Sequence, residues 1–147
     1  MTDHIVFSHG QDGEPWGSKI VAMAEVARRR AFQIHSVDYR GMPDPAQRVQ
    51  RLLETCREIA QPVVLVGSSM GGHVSAAVST QAPTRGMFLL APAFFMPGLE
   101  EYTPVPAKAP LAIVHGWNDD VVPVDNSIRY ARLYKAALHI LDRLAVQ

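Results

Sequence analysis

The pentapeptide at residues 67–71 (GSSMG) has residue types and a spacing that suit nucleophilic catalysis. It follows an unbroken apolar strand pattern at residues 62–67, and a helical pattern begins just after it. A strand-to-helix turn sharp enough to lift a hydroxyl clear of the sheet holds its central residue in a strained conformation. The residues two positions before and after must then lack side chains, because the backbone folds over them. The two glycines meet this need, so the pattern predicts that Ser69 is a nucleophile.

The surroundings of Ser69 also suit the negative charge that acyl transfer creates. The following helix would direct its N-terminal N–H groups and its positive dipole end toward an oxyanion beside Ser69. The bare Gly-x-Ser-x-Gly pattern is weakly specific, and a glycine-rich turn is the alternative interpretation. Its position between a buried strand and a helix favours the nucleophile.

A second segment with chemical potential, residues 115–123 (HGWNDDVVP), follows a later apolar strand. It carries two adjacent carboxylates, Asp119 and Asp120. A carboxylate at the C-terminal end of a strand can orient a histidine imidazole and stabilise it when it is protonated. Adjacent aspartates point in different directions, so only one of them can have this role. Turn formation by both is the alternative.

Strand and helix patterns alternate along the chain and would bring these two segments together. Apolar, β-branched strand patterns occupy residues 4–8, 32–38, 62–67, 87–91, 111–115 and 138–141. Helical patterns lie at about residues 18–31, 44–60, 72–81 and 125–137, with Asp44 and Asp125 as the expected caps of the second and fourth. Strands joined by crossover helices form a parallel sheet with helices on both faces. The sequence therefore predicts one doubly wound α/β domain, residues 1–147, with a mostly parallel six-stranded sheet.

Composition narrows the function classes. The 147 residues carry a formal net charge of zero, so the chain lacks the basic surface of a protein that binds nucleic acid or an anionic membrane. No apolar run reaches the ~18 residues that a membrane helix needs, and the start of the chain has no leader pattern. The one cysteine, Cys56, lies on the apolar stripe of a helix and is expected in the core, with no disulfide. We expect a cytoplasmic protein without a metal or cofactor.

Together, the pentapeptide around Ser69, a His-Gly pair at residues 9–10 and the segment at residues 115–123 resemble those of a small α/β hydrolase, an esterase-like serine hydrolase. The resemblance extends from residue 4 to about residue 144. It implies the minimal form of that fold, without a cap domain, since residues 97–110 are only a proline-rich loop. It also implies that the first and third strands are neighbours at the switch point where such sheets bind ligands.

The resemblance assigns roles to further residues. The His-Gly pair matches a turn whose next amide lines the oxyanion hole, so the backbone N–H groups of Gln11 and Met70 are the expected oxyanion donors. The pattern His-Gly-x-x-Asp-x-x-Val-Pro makes Asp119 the acid of the triad, with Asp120 as the alternative.

The general base of the triad is missing from its expected place. The family has its catalytic histidine after the last strand, beyond Asp142, where this chain has only the residues RLAVQ. His139 is nearest, but it lies within the strand pattern, about three residues too early. The flanks of the family's final loop are present, as though a few residues between Asp142 and Arg143 were absent. Either the natural polypeptide contains those residues, or it is a shortened protein without the base.

The other histidines have structural interpretations, on strands (His4, His35), in turns (His9, His115) or on a helix and pointing away from Ser69 (His73).

Two hypotheses of function follow. In the first, the chain is a serine hydrolase that cleaves small ester or related acyl substrates through an acyl-enzyme on Ser69. In the second, it keeps the hydrolase fold as a binding or regulatory module, since losing one triad member can lower kcat by ~10⁴- to 10⁶-fold. A nucleotide-binding protein is less favoured, because the chain has neither a P-loop nor a Gly-x-Gly-x-x-Gly turn. We prefer the first, with a small-molecule acyl substrate as the partner; the sequence does not specify the oligomeric state.

Overall fold

Six parallel strands form one sheet in the computed structural model, which describes residues 3–98 and 103–143. The strands are β1 (Asp3–Ser8), β2 (Phe32–Val37), β3 (Val63–Ser68), β4 (Thr84–Leu90), β5 (Leu111–Gly116) and β6 (Ala137–Leu141). The helices in the described residues are α1 (Ser18–Arg29), α2 (Pro45–Ile59), α3 (Met70–Ser79) and α4 (Val124–Tyr134). The predicted six-stranded α/β architecture is confirmed.

The strand order is β2-β1-β3-β4-β5-β6, and every neighbouring pair is parallel. The chain runs outward from β1 to β2 and then returns past β1 to β3, so the direction of winding reverses between β1 and β3. Ser8, at the end of β1, pairs with Gly67 near the end of β3. The residues that follow these two strands therefore meet at the switch point, as expected.

The central strand β3 is apolar at successive positions because helices cover both faces of the sheet. Leu65 packs in a cluster with side chains of α2, α3 and α4. The next residue, Val66, points to the opposite face and packs in a cluster with Ile20 of α1. Full burial of one such side chain contributes ~1.5–3 kcal/mol, so this strand is a firm support for the turn that follows it.

The helix ends agree with the sequence at α2 and differ at α4. Asp44 caps α2, since its Oδ1 accepts the N–H of Ala46 at 3.0 Å, and Pro45 occupies the first turn. The expected cap of α4 by Asp125 is wrong: the N-cap is Pro123, and Asp125 lies within the first turn. Its carboxylate there still faces the positive end of the helix dipole.

Two further expectations concern the core and the membrane. Cys56 is 4% exposed and packs in the larger core cluster, as expected, and burial raises the pKa of its thiol to about 11. The thiol is therefore protonated at neutral pH. In the described parts of the chain, no helix is long and apolar enough to cross a membrane.

Candidate active site

Ser69 forms the tip of a sharp turn between β3 and α3. Its backbone has φ 53° and ψ −116°, a conformation that costs a non-glycine residue about 1–3 kcal/mol. Neighbouring segments hold it there. The N–H of Ser69 donates to the carbonyl of Leu90 at 2.9 Å, and its carbonyl accepts from Gly72 at 3.0 Å and from Ala93 at 2.9 Å. The structure therefore has the strained turn that the sequence predicts at this residue.

Close backbone packing explains the glycines on either side of Ser69. A Cβ atom on Gly67 would lie 2.2 Å from the carbonyl oxygen of Gly71, and one on Gly71 would lie 2.0 Å from that of Ser8. A Cβ on Gly72 would approach Pro92 to 2.7 Å. These distances are too short for any side chain, so the chain can pass through this turn only with glycines. The need for glycines at positions 67 and 71 is confirmed.

The two segments that carry the expected oxyanion donors lie next to Ser69. Met70 begins α3, two residues earlier than the sequence pattern suggested, and its N–H is among the first four of the helix, which have no intrahelical acceptor. Gly10 lies against the serine, since a Cβ on Gly10 would be 3.4 Å from the Cβ of Ser69. Gln11 is the next residue along this turn and is exposed. The fold thus brings the segments of both expected oxyanion donors to Ser69.

His9 is a structural brace for this turn. Its Nε2 accepts the backbone N–H of Tyr39 at 2.9 Å, so Nδ1 carries the proton and donates to the carbonyl of Gly10 at 2.7 Å. Burial lowers the pKa of His9, and the nearby Arg48 charge lowers it further. Both ring nitrogens are occupied by backbone groups, so His9 is not available as the general base.

Arg48 is a buried residue of the site that sequence reasoning missed. It is 2% exposed and donates to the backbone carbonyls of the segment that contains His9. Its guanidinium also lies 5.2 Å from the ring centroid of Tyr39. The one sequence signal is its spacing: Arg48 stands four residues before Leu52 and eight before Cys56, on the buried stripe of α2.

The carboxylate of Asp119 is buried and only partly satisfied. Its side chain is 3% exposed, and Oδ1 accepts the backbone N–H groups of Val121 and Val122 at 2.9 and 2.8 Å. Oδ2 has no hydrogen-bond partner among the described residues. His115 Nε2 is 3.3 Å from Oδ2, but its hydrogen bond goes to the carbonyl of Val122 at 2.8 Å. Asp120, the alternative acid, is exposed.

His115 is fully buried and, like His9, supports backbone. Its Nδ1 is 2.7 Å from the hydroxyl of Ser127, and its Nε2 donates to the carbonyl of Val122. These bonds connect the end of β5 to the first turns of α4 and hold the loop that carries Asp119. His115 therefore positions this loop, residues 117–123, which we call the acid loop because Asp119 is the predicted acid.

No histidine in residues 3–98 and 103–143 forms a hydrogen bond with Ser69 Oγ or Asp119 Oδ2. His139 is exposed on β6, the edge strand of the sheet. The end of β6 nevertheless lies beside the acid loop. The N–H of Trp117 donates to the carbonyl of Leu141 at 2.9 Å, and the amide of Asn118 reaches the carbonyl of Asp142 at 3.5 Å. A base in a segment that begins just after Asp142 would therefore lie close to the acid loop.

His4 and His73 are buried, and His35, on the edge strand β2, is half-buried. His73 is 3% exposed, and burial lowers its pKa. His4 and His35 hydrogen-bond to each other across β1 and β2, with 2.9 Å between their ring nitrogens. Among the described residues, none of these three imidazoles is hydrogen-bonded to the Ser69 hydroxyl, and only the backbone N–H of His73 contacts Ser69, at its carbonyl, at 3.4 Å.

One cavity borders the β3–α3 turn at Ser69, which we call the elbow, and a second lies farther along α3. The first, of 220 Å³, is lined by His9, Gly10 and Ser68 together with the start of α1. The second, of 440 Å³, lies between the start of α2 and α3, with Val49, His73 and Ala77 on its walls. His73 is one helical turn, or ~6 Å along the axis, from the elbow. Both volumes suit small ligands, and the described residues contain no group of three or more His, Cys, Asp or Glu side chains arranged to hold a metal ion.

Comparisons with known proteins give a consistent result. The model of the alpha/beta hydrolase family matches residues 5–145. A crystal structure from Xanthomonas campestris pv. campestris, of a protein assigned to the alpha/beta hydrolase superfamily, is 35% identical, with a TM-score of 0.89, over 96% of this chain and 87% of that chain. Among curated proteins, no sequence matches this chain.

More distant structures share the fold. A monoacylglycerol lipase from Paleococcus ferrophilus is 14% identical, with a TM-score of 0.79, over 95% of this chain and 85% of that chain. Est1E from Butyrivibrio proteoclasticus is 16% identical, with a TM-score of 0.81, over 95% and 77% of the two chains. At these identities the likeness concerns the fold alone.

Proposed function

Since the chain belongs to the alpha/beta hydrolase family, we propose that it is a serine hydrolase that cleaves small esters through an acyl-enzyme on Ser69. The family and the 35%-identical relative support hydrolase activity in general. The backbone conformation of Ser69 is the observation that supports Ser69 as the nucleophile. A non-glycine residue held at φ 53° between three close backbone contacts is maintained by its surroundings at a cost in stability, and exposure of a nucleophilic hydroxyl accounts for that cost.

In the proposed mechanism, Ser69 Oγ attacks the carbonyl carbon of the ester, and the base takes its proton. The N–H groups of Met70 and Gln11 stabilise the oxyanion of the tetrahedral intermediate, whose collapse releases the alcohol. As the intermediate collapses, the protonated base gives its proton to the leaving alcohol oxygen. Water then attacks the acyl-enzyme and loses a proton to the base, and the base passes that proton to Ser69 Oγ as the carboxylic acid leaves. Asp119 orients the base and stabilises its protonated form.

We propose that the base is a histidine of the natural polypeptide in a short segment between Asp142 and Arg143. Two observations support this place. The end of β6 is hydrogen-bonded to the acid loop through Trp117, and the buried Oδ2 of Asp119 has no donor among the described residues. An imidazole N–H that reached Oδ2 would satisfy it and would direct the other ring nitrogen outward, toward a nucleophile.

The second candidate function is a binding or regulatory module without turnover. It is favoured by one observation: in the described residues, no histidine side chain is hydrogen-bonded to Ser69 Oγ or to Asp119 Oδ2. A fluorophosphonate probe separates the two functions, because it labels activated serines and leaves ordinary ones unmodified. Labelling that is lost in Ser69→Ala supports the hydrolase. Labelling that persists in Ser69→Ala and is lost in Ser68→Ala would show that Ser68, and not Ser69, is the nucleophile.

The direct test is turnover of p-nitrophenyl esters of graded acyl length by the natural protein and by Ser69→Ala. We expect hydrolysis by the natural protein and a fall to the background rate in Ser69→Ala. Acetyl to about hexanoyl esters should be the best substrates, because the loop after β4 is too short to build a deep cap over the site. A preference for acyl chains of about twelve carbons would contradict this size limit, and no hydrolysis of any ester would contradict the proposed function.

A further inference from the structure

The hydrogen bonds of Arg48 converge on one turn of the backbone. Its Nη1 donates to the carbonyls of His9 and Gly10 at 3.4 and 3.3 Å, and its Nη2 donates to the carbonyl of Gln11 at 3.3 Å. A shorter bond of 2.7 Å from Nε to the carbonyl of Met42 fixes the base of the guanidinium. Three successive carbonyls thus face one cation, in the turn that follows β1.

This cation is buried without a carboxylate partner. Arg48 is 2% exposed, and no ion pair links it to an acidic side chain of the described residues. A buried charge of this kind is costly unless polar groups compensate it. The carbonyl oxygens of the turn and the face of the Tyr39 ring, 5.2 Å away, supply that compensation. Burial lowers the pKa of Arg48, but a guanidinium still keeps its proton at neutral pH.

Because a peptide group is planar, the bond from Arg48 to the carbonyl of Gly10 also determines the direction of the Gln11 N–H. In a trans peptide the C=O of one residue and the N–H of the next point in opposite directions. The carbonyl of Gly10 accepts from Arg48, from His9 Nδ1 at 2.7 Å and from the N–H of Gly13 at 3.2 Å. The peptide plane between Gly10 and Gln11 is therefore fixed, and the N–H of Gln11 points away from the guanidinium.

We propose that Arg48 is a positioning residue that holds the turn of residues 9–11 in the orientation required for the oxyanion hole. This inference rests on the proposed serine hydrolase function. Arg48 touches neither the substrate nor Ser69; it acts through the turn whose residue Gly10 lies against Ser69. An N–H that is already aimed at the developing charge needs no reorganisation during the reaction, which is the main advantage of an oxyanion hole.

The test compares Arg48→Met and Arg48→Lys with a matched control, Arg51→Met. Arg51 lies one turn later on the same helix and donates to a backbone carbonyl outside the turn, that of Asp38, at 3.1 Å. Loss of one oxyanion donor costs about 10²- to 10³-fold in kcat. A donor that is misdirected rather than removed should cost less, so we expect Arg48→Met to lower kcat by roughly 10- to 100-fold. KM should change by less than about threefold, since ground-state binding is not the interaction lost.

The conservative variant Arg48→Lys and the control Arg51→Met should behave differently from each other. Arg48→Lys keeps the charge but loses the planar fork, so its kcat should be intermediate. Arg51→Met should retain kcat within about twofold, because its carbonyl partner lies outside the turn. The proposal is wrong if Arg48→Met keeps the kcat of the parent, or if Arg48→Met and Arg51→Met lower it equally. Should Arg48→Met fail to fold, Arg48→Lys against Arg51→Lys makes the same comparison.

A measurement without turnover separates this inference from the proposed function. The amide chemical shifts and ¹⁵N order parameters of residues 10–13 report the orientation and rigidity of the turn directly. We expect Arg48→Met to shift these amides and lower their order parameters, and Arg51→Met to leave them unchanged. If the parent protein hydrolyses no ester and binds no fluorophosphonate, the serine hydrolase proposal fails. If the amides of residues 10–13 are the same in Arg48→Met and the parent, the Arg48 inference fails.

Discussion

Asp119 combines burial with an unmet hydrogen bond. Its side chain is 3% exposed, and Oδ1 is held by two backbone N–H groups, yet Oδ2 has no donor among the described residues. An unsatisfied buried polar group costs about 1–3 kcal/mol, and more when it is charged. An oxygen kept in this state is best explained by a partner that it holds during function, and the imidazole of the base has the right chemistry.

Substitution of Asp119 by asparagine removes the charge with little change of shape. We expect Asp119→Asn to lower kcat for p-nitrophenyl acetate by about 10³- to 10⁴-fold, since the base would lose its orientation and its counter-charge. Asp120→Asn is the control, because Asp120 is exposed and next in sequence, and it should stay within about twofold of the parent. An equal or larger effect of Asp120→Asn would reverse the assignment of the acid.

Single residues also mark where sequence reasoning stops. Ser69 was predictable because a strained turn leaves glycines at fixed spacings around it. Arg48 was not, because its partners His9, Gly10 and Gln11 are 37 to 39 residues away in sequence. Its helical spacing places it on the buried stripe of α2, but a stripe position alone does not reveal which backbone groups will compensate a buried charge.

At the scale of elements, the elbow depends on three segments packed at backbone distance. β1, β3 and α3 meet where a Cβ on Gly71 would lie 2.0 Å from the carbonyl oxygen of Ser8. A methyl group at this position therefore has to push two strands apart or displace the helix. This makes the elbow a stability determinant as well as a candidate site.

Gly71→Ala should therefore destabilise the fold strongly. We expect the free energy of unfolding to fall by about 3 kcal/mol or more, in the range of severe overpacking. Gly86→Ala in β4 is the matched control, since a Cβ there would meet its nearest atom, the carbonyl oxygen of Pro110, at 3.4 Å. Urea unfolding of both variants gives the comparison. Similar unfolding midpoints for the two would contradict the packing argument.

The type and order of the strands and helices along the chain were predictable from the sequence, and the residues at which they begin and end were less so. Strand and helix types follow from local periodicity, and Asp44 with Pro45 marks a helix start by chemistry that acts within one turn. The start of α3 at Met70 was placed two residues late, because the two glycines after it resemble a turn rather than a helix. The pairing of the first strand with the third came from the family resemblance, since periodicity carries no information about which strands pair.

At the scale of the whole molecule, the buried histidines set the response to acid. Burial lowers the pKa of His9, His35 and His73 below the usual histidine value of about 6.5. Below pH 6.5 the unfolded chain therefore binds more protons than the folded chain, until the lowered folded pKa values are reached. The stability that depends on the neutral histidines is complete above about pH 6.5 and is lost as the pH falls through those folded values.

The free energy of unfolding should accordingly decrease between pH 7.5 and 5.5. Each histidine contributes a slope of at most about 1.4 kcal/mol per pH unit in this window. In His73→Leu the slope should be smaller than in the parent, whatever the change in absolute stability. Urea titrations at several pH values measure the slope, and a protein that became more stable on acidification would refute the argument.

The last prediction concerns the covalent length of the chain, on which the proposed chemistry depends. β6 ends beside the acid loop, with the N–H of Trp117 bonded to the carbonyl of Leu141 at 2.9 Å, and the sequence then passes from Asp142 to Arg143 without a histidine. We expect intact-mass spectrometry of the natural protein to give a mass at least a few hundred daltons above the 16.2 kDa of these 147 residues. Peptide sequencing should place the additional residues, with a histidine, between Asp142 and Arg143. Substitution of that histidine by alanine should lower kcat by ~10⁴- to 10⁶-fold, as for other triad members. A mass of 16.2 kDa together with ester turnover would exclude this account and make His139→Ala the decisive variant, whereas the same mass without turnover would favour the binding module.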